Sequence, residues 1–337
     1  MGKTSLVEQV IQDLSREKAP VAYLSIDLLV VHDAPELERR IREGVQKVAA
    51  ALPPKGERTA TKLKRAFTKL EPEVSVGSGP FSVRLKRHDS PIEGIESLLI
   101  ALDKAAGAYK RRAVIVLDEF QQLSEMKDGA LRSAAEGAVR HAVERAKHTT
   151  YLFAGSQKHL LQDMFENEDR PLYRLCQKMS LDRISAEHYH PFLQSAAKAK
   201  WRKSLSDEVI EEILNVTLRH PYYVNALCDR LWAHSKPPSL PTTATAWDAL
   251  VEEDRSLMTG KVLRLAASQR GMLKAIAKTP GGVMHPVSQE FLTTIRVPSS
   301  TGNRSKEALE ELDLIQQDEN KAWILVDPVM AAYLKTL

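Results

Sequence analysis

Ala113-Val114-Ile115-Val116-Leu117-Asp118-Glu119-Phe120-Gln121-Gln122-Leu123 is the stretch on which the reading of this chain turns. Its five leading apolar residues are rich in β-branched side chains and have the length of a strand buried on both faces, as strands of parallel sheets are. The strand runs straight into two adjacent acids. Such an acidic end either serves chemistry or merely caps the next helix, and the string alone does not decide which.

On either side of it, residues 21–31 (VAYLSIDLLVV) and 149–154 (TTYLFA) read as further buried strands, with 178–184 as a fourth. Between them lie helical patterns at 4–16 (Leu6, Val7, Val10, Ile11 and Leu14 on one stripe), 95–109 and 129–147, and a hairpin pattern at 74–85. This alternation predicts an α/β fold, a parallel sheet with helices on both faces. After about residue 186 the strands stop. Residues 188–235 and 242–258 read as helices around a Pro-rich linker at 236–241. Helices at 265–278, 286–294 and 304–313, a turn-rich segment at 298–303, and a hairpin over 314–326 turning at Asp318-Glu319-Asn320 make the pattern of a winged helix. The expected domains are a core at 1–186, a helical lid subdomain at 187–258 and a winged helix at 259–337.

The chain opens Met1-Gly2-Lys3-Thr4-Ser5-Leu6, and a helix follows at once. Gly-Lys-Thr opening a helix is the second half of a phosphate-binding loop, G-x-x-x-x-G-K-[ST]. In such a P-loop the lysine reaches the β- and γ-phosphates, the hydroxyl meets Mg²⁺, and the helix N-terminus offers its amides. Gly2, Lys3, Thr4 and Ser5 are therefore the expected nucleotide-binding residues. Asp118 would hold Mg²⁺ together with Thr4, and Glu119 would polarise an attacking water. A Gly-Lys-Thr helix start, a strand ending in Asp-Glu and a further strand ending in a polar residue are jointly far rarer by chance than any one alone. That last residue is Ser156, with Gln157 second, placed to sense a γ-phosphate. Arg170 and Arg174, in DRPLYR, are arginine-finger candidates toward a neighbouring subunit's nucleotide. His220-Pro221 opens a helix that would cover the nucleotide.

GKTSLV, VIVLDEFQQL, YLFAGSQKHLLQDMF, PLYRL and RHPYYVNALCDRLW resemble the archaeal-type ATPase family, of the STAND branch of P-loop ATPases and close to AAA+ proteins. The likeness runs over most of 2–235, and the winged helix ending in DPVMAAYL matches the family's layout. It implies ATP and Mg²⁺ as cofactors, slow switch-like hydrolysis, and a C-terminal domain that reads DNA or docks a protein partner. Two departures stand out. Arg219 occupies the place of the family's Gly before His-Pro. Similar members also have a strand and then G-P-R-R-V-G-K-T, whereas here Met1 stands at that Val. The expectation is a misassigned start, a GTG codon read as an initiator, with the first strand lacking. Two inner strands would then lose a ladder partner, at roughly 1–3 kcal/mol for each unpaired amide.

Composition sets the outer limits. With 337 residues, 43% hydrophobic and 27% charged, the chain suits two or three globular domains and excludes wholesale disorder. No apolar run approaches the roughly 20 residues of a membrane helix. Two cysteines, Cys176 and Cys228, make no disulfide framework and fit a reducing, cytoplasmic setting. The net charge of +4 comes mainly from 55–112, where Lys and Arg exceed Asp and Glu by 6; the excess over 261–337 is 2. The best-supported expectation is thus an ATP-dependent switch coupled to the winged helix, homo-oligomeric if the fingers act in trans. The alternatives are a non-hydrolysing DNA-binding or protein-docking adaptor with a degenerate core, and an origin-binding AAA+ initiator.

Overall fold

The computed structural model describes residues 2–16, 21–52, 71–75, 82–86, 90–318 and 320–337. These form two compact units, Gly2–Met179 and Ser180–Leu337.

The first unit is built on a parallel sheet of order β1 (Ala22–Asp27), β4 (Ala113–Asp118), β5 (Thr149–Phe153). Ala22 lies opposite Ala113 and Ala113 opposite Thr149, so the three strands start level and their carboxyl ends share one edge. The continuous apolar run of β4 places it at the centre, as expected of a strand covered on both faces. One sheet face packs against α2 (Ala34–Ala51), α3 (Pro91–Ala108) and α4 (Gly129–Arg145), through Ile41, Val45, Leu98, Leu102 and Val139. All three helices start on side-chain caps, Asp33, Ser90 and Asp128, each accepting from an orphan amide of the first turn. Gly44 lets α2 approach β1 closely; a Cβ there would fall 2.3 Å from Ile26 Cδ1. The opposite face meets α1 (Lys3–Ser15), which buries Ile11 but leaves Leu6 and Val10 about half exposed. Tyr23 and Leu152, pointing to that face by strand alternation, are exposed too.

The apolar run at 21–31 gives a strand only as far as Asp27. The Asp27 carboxylate accepts the Leu29 amide at 2.9 Å, and Val31 N donates to Leu28 O, which turns the chain out of the sheet while Leu28 and Val31 stay buried. After α5 (Lys158–Glu166), the fourth strand expected at 178–184 does not form. That segment has no ladder partner, and its apolar side chains Met179, Leu181 and Ile184 are exposed. The hairpin expected at 74–85 is present as β2 (Glu71–Ser75) paired antiparallel with β3 (Ser82–Lys86). Its turn, and Lys62, Lys64, Arg65, Lys69 and Arg87, lie outside the described residues.

The second unit is helical: α6 (Ala186–Trp201), α7 (Asp207–Val216), α8 (Pro221–Trp232), α9 (Leu240–Glu253) and α10 (Arg255–Leu263) lead into α11 (Ala267–Lys278), α12 (Gln289–Thr294) and α13 (Ser299–Glu311). An antiparallel ribbon of β6 (Ile315–Gln317) and β7 (Trp323–Leu325) follows, then α14 (Pro328–Lys335). A single apolar core runs from Leu193 and Leu227 to Leu309 and Tyr333. The single helix expected at 242–258 is two, and α13 begins five residues earlier than expected. Gly302, read as a turn signal, instead serves close packing, since a Cβ there would meet Leu292 Cδ2 at 2.6 Å. The expected ribbon turn includes Glu319, outside the described residues. Among the described residues no helix is long and apolar enough to cross a membrane.

Candidate functional site

The site lies at the shared carboxyl edge of the sheet, the end at which open α/β sheets bind ligands. Gly2 caps α1 with φ 86°, a conformation that favours glycine, and nothing within 4 Å would meet a side chain there. The helix therefore starts directly at Lys3, with the amides of its first turn unspent within the helix. The Thr4 hydroxyl donates to Asp118 Oδ2 at 2.9 Å, joining residues 114 positions apart. Asp118 Oδ1 accepts the Glu119 amide at 3.1 Å. A cavity of about 250 Å³ opens between α1 and the sheet, lined by Thr4, Val7, Tyr23, Val116 and Asp118 among others.

Glu119 leaves the strand with φ 52°, a left-handed conformation costing a non-glycine residue of order 1–3 kcal/mol. It turns the chain into a 3₁₀ segment, Phe120–Glu125, so that Phe120 enters the core against Phe153 and Phe165 and Gln121 points back. Three donors then converge on Glu119 Oε2: Gln121 Nε2 at 2.5 Å, Ser156 Oγ at 2.7 Å and Ser156 N at 3.4 Å. Oε1 accepts no hydrogen bond among the described residues. Burial alone would raise the Glu119 pKa. The Gln121 and Ser156 bonds, with the Lys3 charge, outweigh it and hold the carboxyl below the ordinary glutamate range. Glu119 is thus an ionised carboxylate, oriented through one oxygen and open at the other.

Gln121 lies inside the acidic block, where nothing in the sequence marks it as a site residue. It is 3% exposed, and its Oε1 has no hydrogen-bond partner among the described residues. A bare buried acceptor costs roughly 1–3 kcal/mol. Gly155 makes room for it, since a Cβ there would sit 2.0 Å from Gln121 Oε1. No sequence pattern distinguishes this glutamine from Gln122; only the 3₁₀ geometry does.

The other expected site residues are placed as follows. Ser5 is an exposed first-turn residue of α1. The Arg170 guanidinium is tied within its own unit, to Glu136 by a bidentate pair, to Asp163 at 2.6 Å and to Ser124 Oγ at 3.2 Å. Arg174 is exposed, has φ 54°, and lies over the Tyr173 ring at 4.9 Å. In the second unit, His220 caps α8 with Pro221 in the first turn. Its ring is buried against Tyr223, and Nδ1 finds no partner among the described residues. Arg219, the departure before His-Pro, also has a positive φ, 57°.

Thr4 and Asp118 present two hard oxygen donors side by side. That matches Mg²⁺, which takes one or two carboxylate or hydroxyl ligands and completes its shell with water and phosphate oxygens.

No family model matches the chain, and neither does any curated protein. Among solved structures it is similar to the Walker-type ATPase PABY2304 of Pyrococcus abyssi, with TM-score 0.63 and 16% identity over 99% of this chain and 88% of that one. It is also similar to the ORC2 protein of Aeropyrum pernix, solved as ADPNP–ADP complexes, with TM-score 0.52 and 13% identity over 99% of this chain and 84% of that one. At these identities the likeness establishes a shared fold, the α/β fold of these ATPases.

Proposed function

We propose that the chain binds ATP with Mg²⁺ at the Gly2–Ser5 helix start and hydrolyses it, as a nucleotide-dependent switch. The observation that carries this reading is the Thr4–Asp118 hydrogen bond, which joins the Gly-Lys-Thr helix start to the acidic strand end. The fold shared with the two ATPases supports it. Lys3 and the α1 amides would meet the phosphates, and Thr4 and Asp118 would hold Mg²⁺, which when bound neutralises phosphate charge. Glu119 would take a proton from the attacking water through Oε1. The water oxygen then bonds to the γ-phosphorus as the bond to the β-bridging oxygen breaks, giving ADP and phosphate. Residues 187–258 would act as the lid, with His220 and Pro221 at the nucleotide, and 259–337 as a winged helix carrying the output. Because Arg170 is committed to Glu136 and Asp163, the exposed Arg174 is the better candidate to reach a neighbouring subunit's nucleotide. ATP turnover of wild type, Lys3→Ala and Glu119→Gln tests the reading. Both variants are expected to lose at least about a hundredfold; equal turnover in all three would count against it.

One observation favours protein docking over DNA for the winged helix. Lys306 on α13 is spent on Glu310 at 2.8 Å and on the Trp323 ring at 4.3 Å. The exposed face keeps Asn303, Arg304, Glu307 and Glu311, a poor surface for phosphates. Tight, strongly salt-dependent DNA binding that ignores ATP would instead favour the DNA-binding adaptor, and binding that follows ATP the initiator reading.

A further inference from the structure

Ser156 and Gln121 both donate to the same oxygen of Glu119, yet they are differently placed to do so. Ser156 is exposed, in the loop that follows β5, and its hydroxyl carries a single proton. Gln121 is buried, packed into the space left by Gly155, and its amide cannot leave without breaking that packing. A hydroxyl proton given to Glu119 cannot at the same time be given to a phosphate oxygen. An arriving phosphoryl group, with more charge than one carboxylate, is a stronger claimant for it.

We propose that the Ser156 hydroxyl is a two-position donor, held by Glu119 while the site is free and drawn to the terminal phosphoryl group of ATP when nucleotide is present, with Gln121 the positioning residue that keeps Glu119 in place after Ser156 leaves. The proposal rests on the ATP reading above and deepens it. It gives the bare Gln121 acceptor a reason: an apolar residue would fill the same space without an unpaired oxygen, but could not hold Glu119. It also makes recognition of the third phosphate and release of the carboxylate a single event. ADP, lacking that phosphate, leaves Ser156 on Glu119.

A double-mutant cycle on nucleotide affinity tests the exchange. Dissociation constants for Mg²⁺-ADP and a Mg²⁺-bound non-hydrolysable ATP analogue are measured by calorimetry for wild type, Glu119→Ala, Ser156→Ala and the double variant. Removing Glu119 lifts like-charge repulsion in either background, but frees the hydroxyl only where Ser156 is present. The preference for the ATP analogue over ADP is expected to rise about tenfold more in the Ser156 background than in the Ser156→Ala background. Equal gains in both backgrounds overturn the exchange. For Gln121, Gln121→Met keeps the volume and removes the donor; kcat is expected to fall about tenfold with the KM for ATP within about twofold. An unchanged kcat, or a loss confined to KM, overturns its positioning role. Should none of the chains bind either nucleotide, the ATP reading falls and takes the exchange with it, whereas nucleotide binding with equal gains overturns the exchange alone.

Discussion

Arg170 and His220 show what single side chains contribute here beyond the candidate chemistry. Glu136 is buried and its charge is answered by Arg170, so Arg170→Ala leaves an unpaired buried carboxylate. Breaking a buried pair from one side costs about 3–5 kcal/mol, and a urea midpoint lowered accordingly, at unchanged slope, is the expected result. The motif suggested a functional arginine because guanidinium groups near Pro-Leu-Tyr are legible as residue types, while their partners are not. His220 carries a pH dependence. Burial first, then the nearby Arg183 charge, hold its pKa down to about 4. The unfolded chain, titrating near 6.5, binds the proton more readily. This residue's contribution is therefore complete above about pH 6.5 and is lost as pH falls from 6.5 toward 4. Subtracting the stability profile of His220→Gln from that of wild type isolates it; a flat difference across that window would refute the assignment.

At the scale of elements, Asp103 joins α3 to the start of β5. Its carboxylate accepts the amides of Lys147, His148 and Thr149 at 2.7–3.1 Å, which ends the α4 connection and sets where β5 begins. Asp103→Ala leaves these amides without their acceptor. The expected loss is roughly 1–3 kcal/mol, read by thermal or urea unfolding, with Asp103→Asn milder. Gly44→Ala drives a methyl into Ile26 and is expected to cost about 1–3 kcal/mol by the same measurement. The strands β1, β4 and β5 and most helices were legible because each carries its own apolar pattern, helped at α2, α3 and α4 by a capping side chain. What failed depended on partners elsewhere in the chain. Residues 178–184 have strand composition, but a strand exists only with a ladder, and Gly302 looks like a turn until Leu292 is seen beneath it. In the candidate site, Thr4 with Asp118 and Glu119 with Ser156 are brought together, and their positions at element ends were legible. Gln121 was hidden by a local backbone geometry that no residue type announces.

For the whole molecule, the net charge of +4 says little about partners. The described face of α13 is acidic in balance, and seven of the basic residues of the 55–112 stretch lie outside the described residues. If Arg174 acts across a subunit boundary, assembly should follow nucleotide. The solution mass is expected to exceed that of one chain with an ATP analogue and Mg²⁺, and not with ADP; Arg174→Ala should leave affinity intact and abolish stimulation of turnover at high protein concentration. Turnover per chain that is independent of concentration in wild type would remove Arg174 from that role.

The light anchoring of α1 divides the site into halves of unequal endurance. Asp118 ends the central strand and Glu119 follows it directly, whereas Lys3 and Thr4 ride a helix that buries little beyond Ile11. A helix held this way opens by itself, far more often than the chain unfolds as a whole. Amide hydrogen exchange in α1 should then run much faster than in α3, and slow on addition of nucleotide. On the proposed reading, the Lys3–Thr4 half would in that sense be assembled by what it binds.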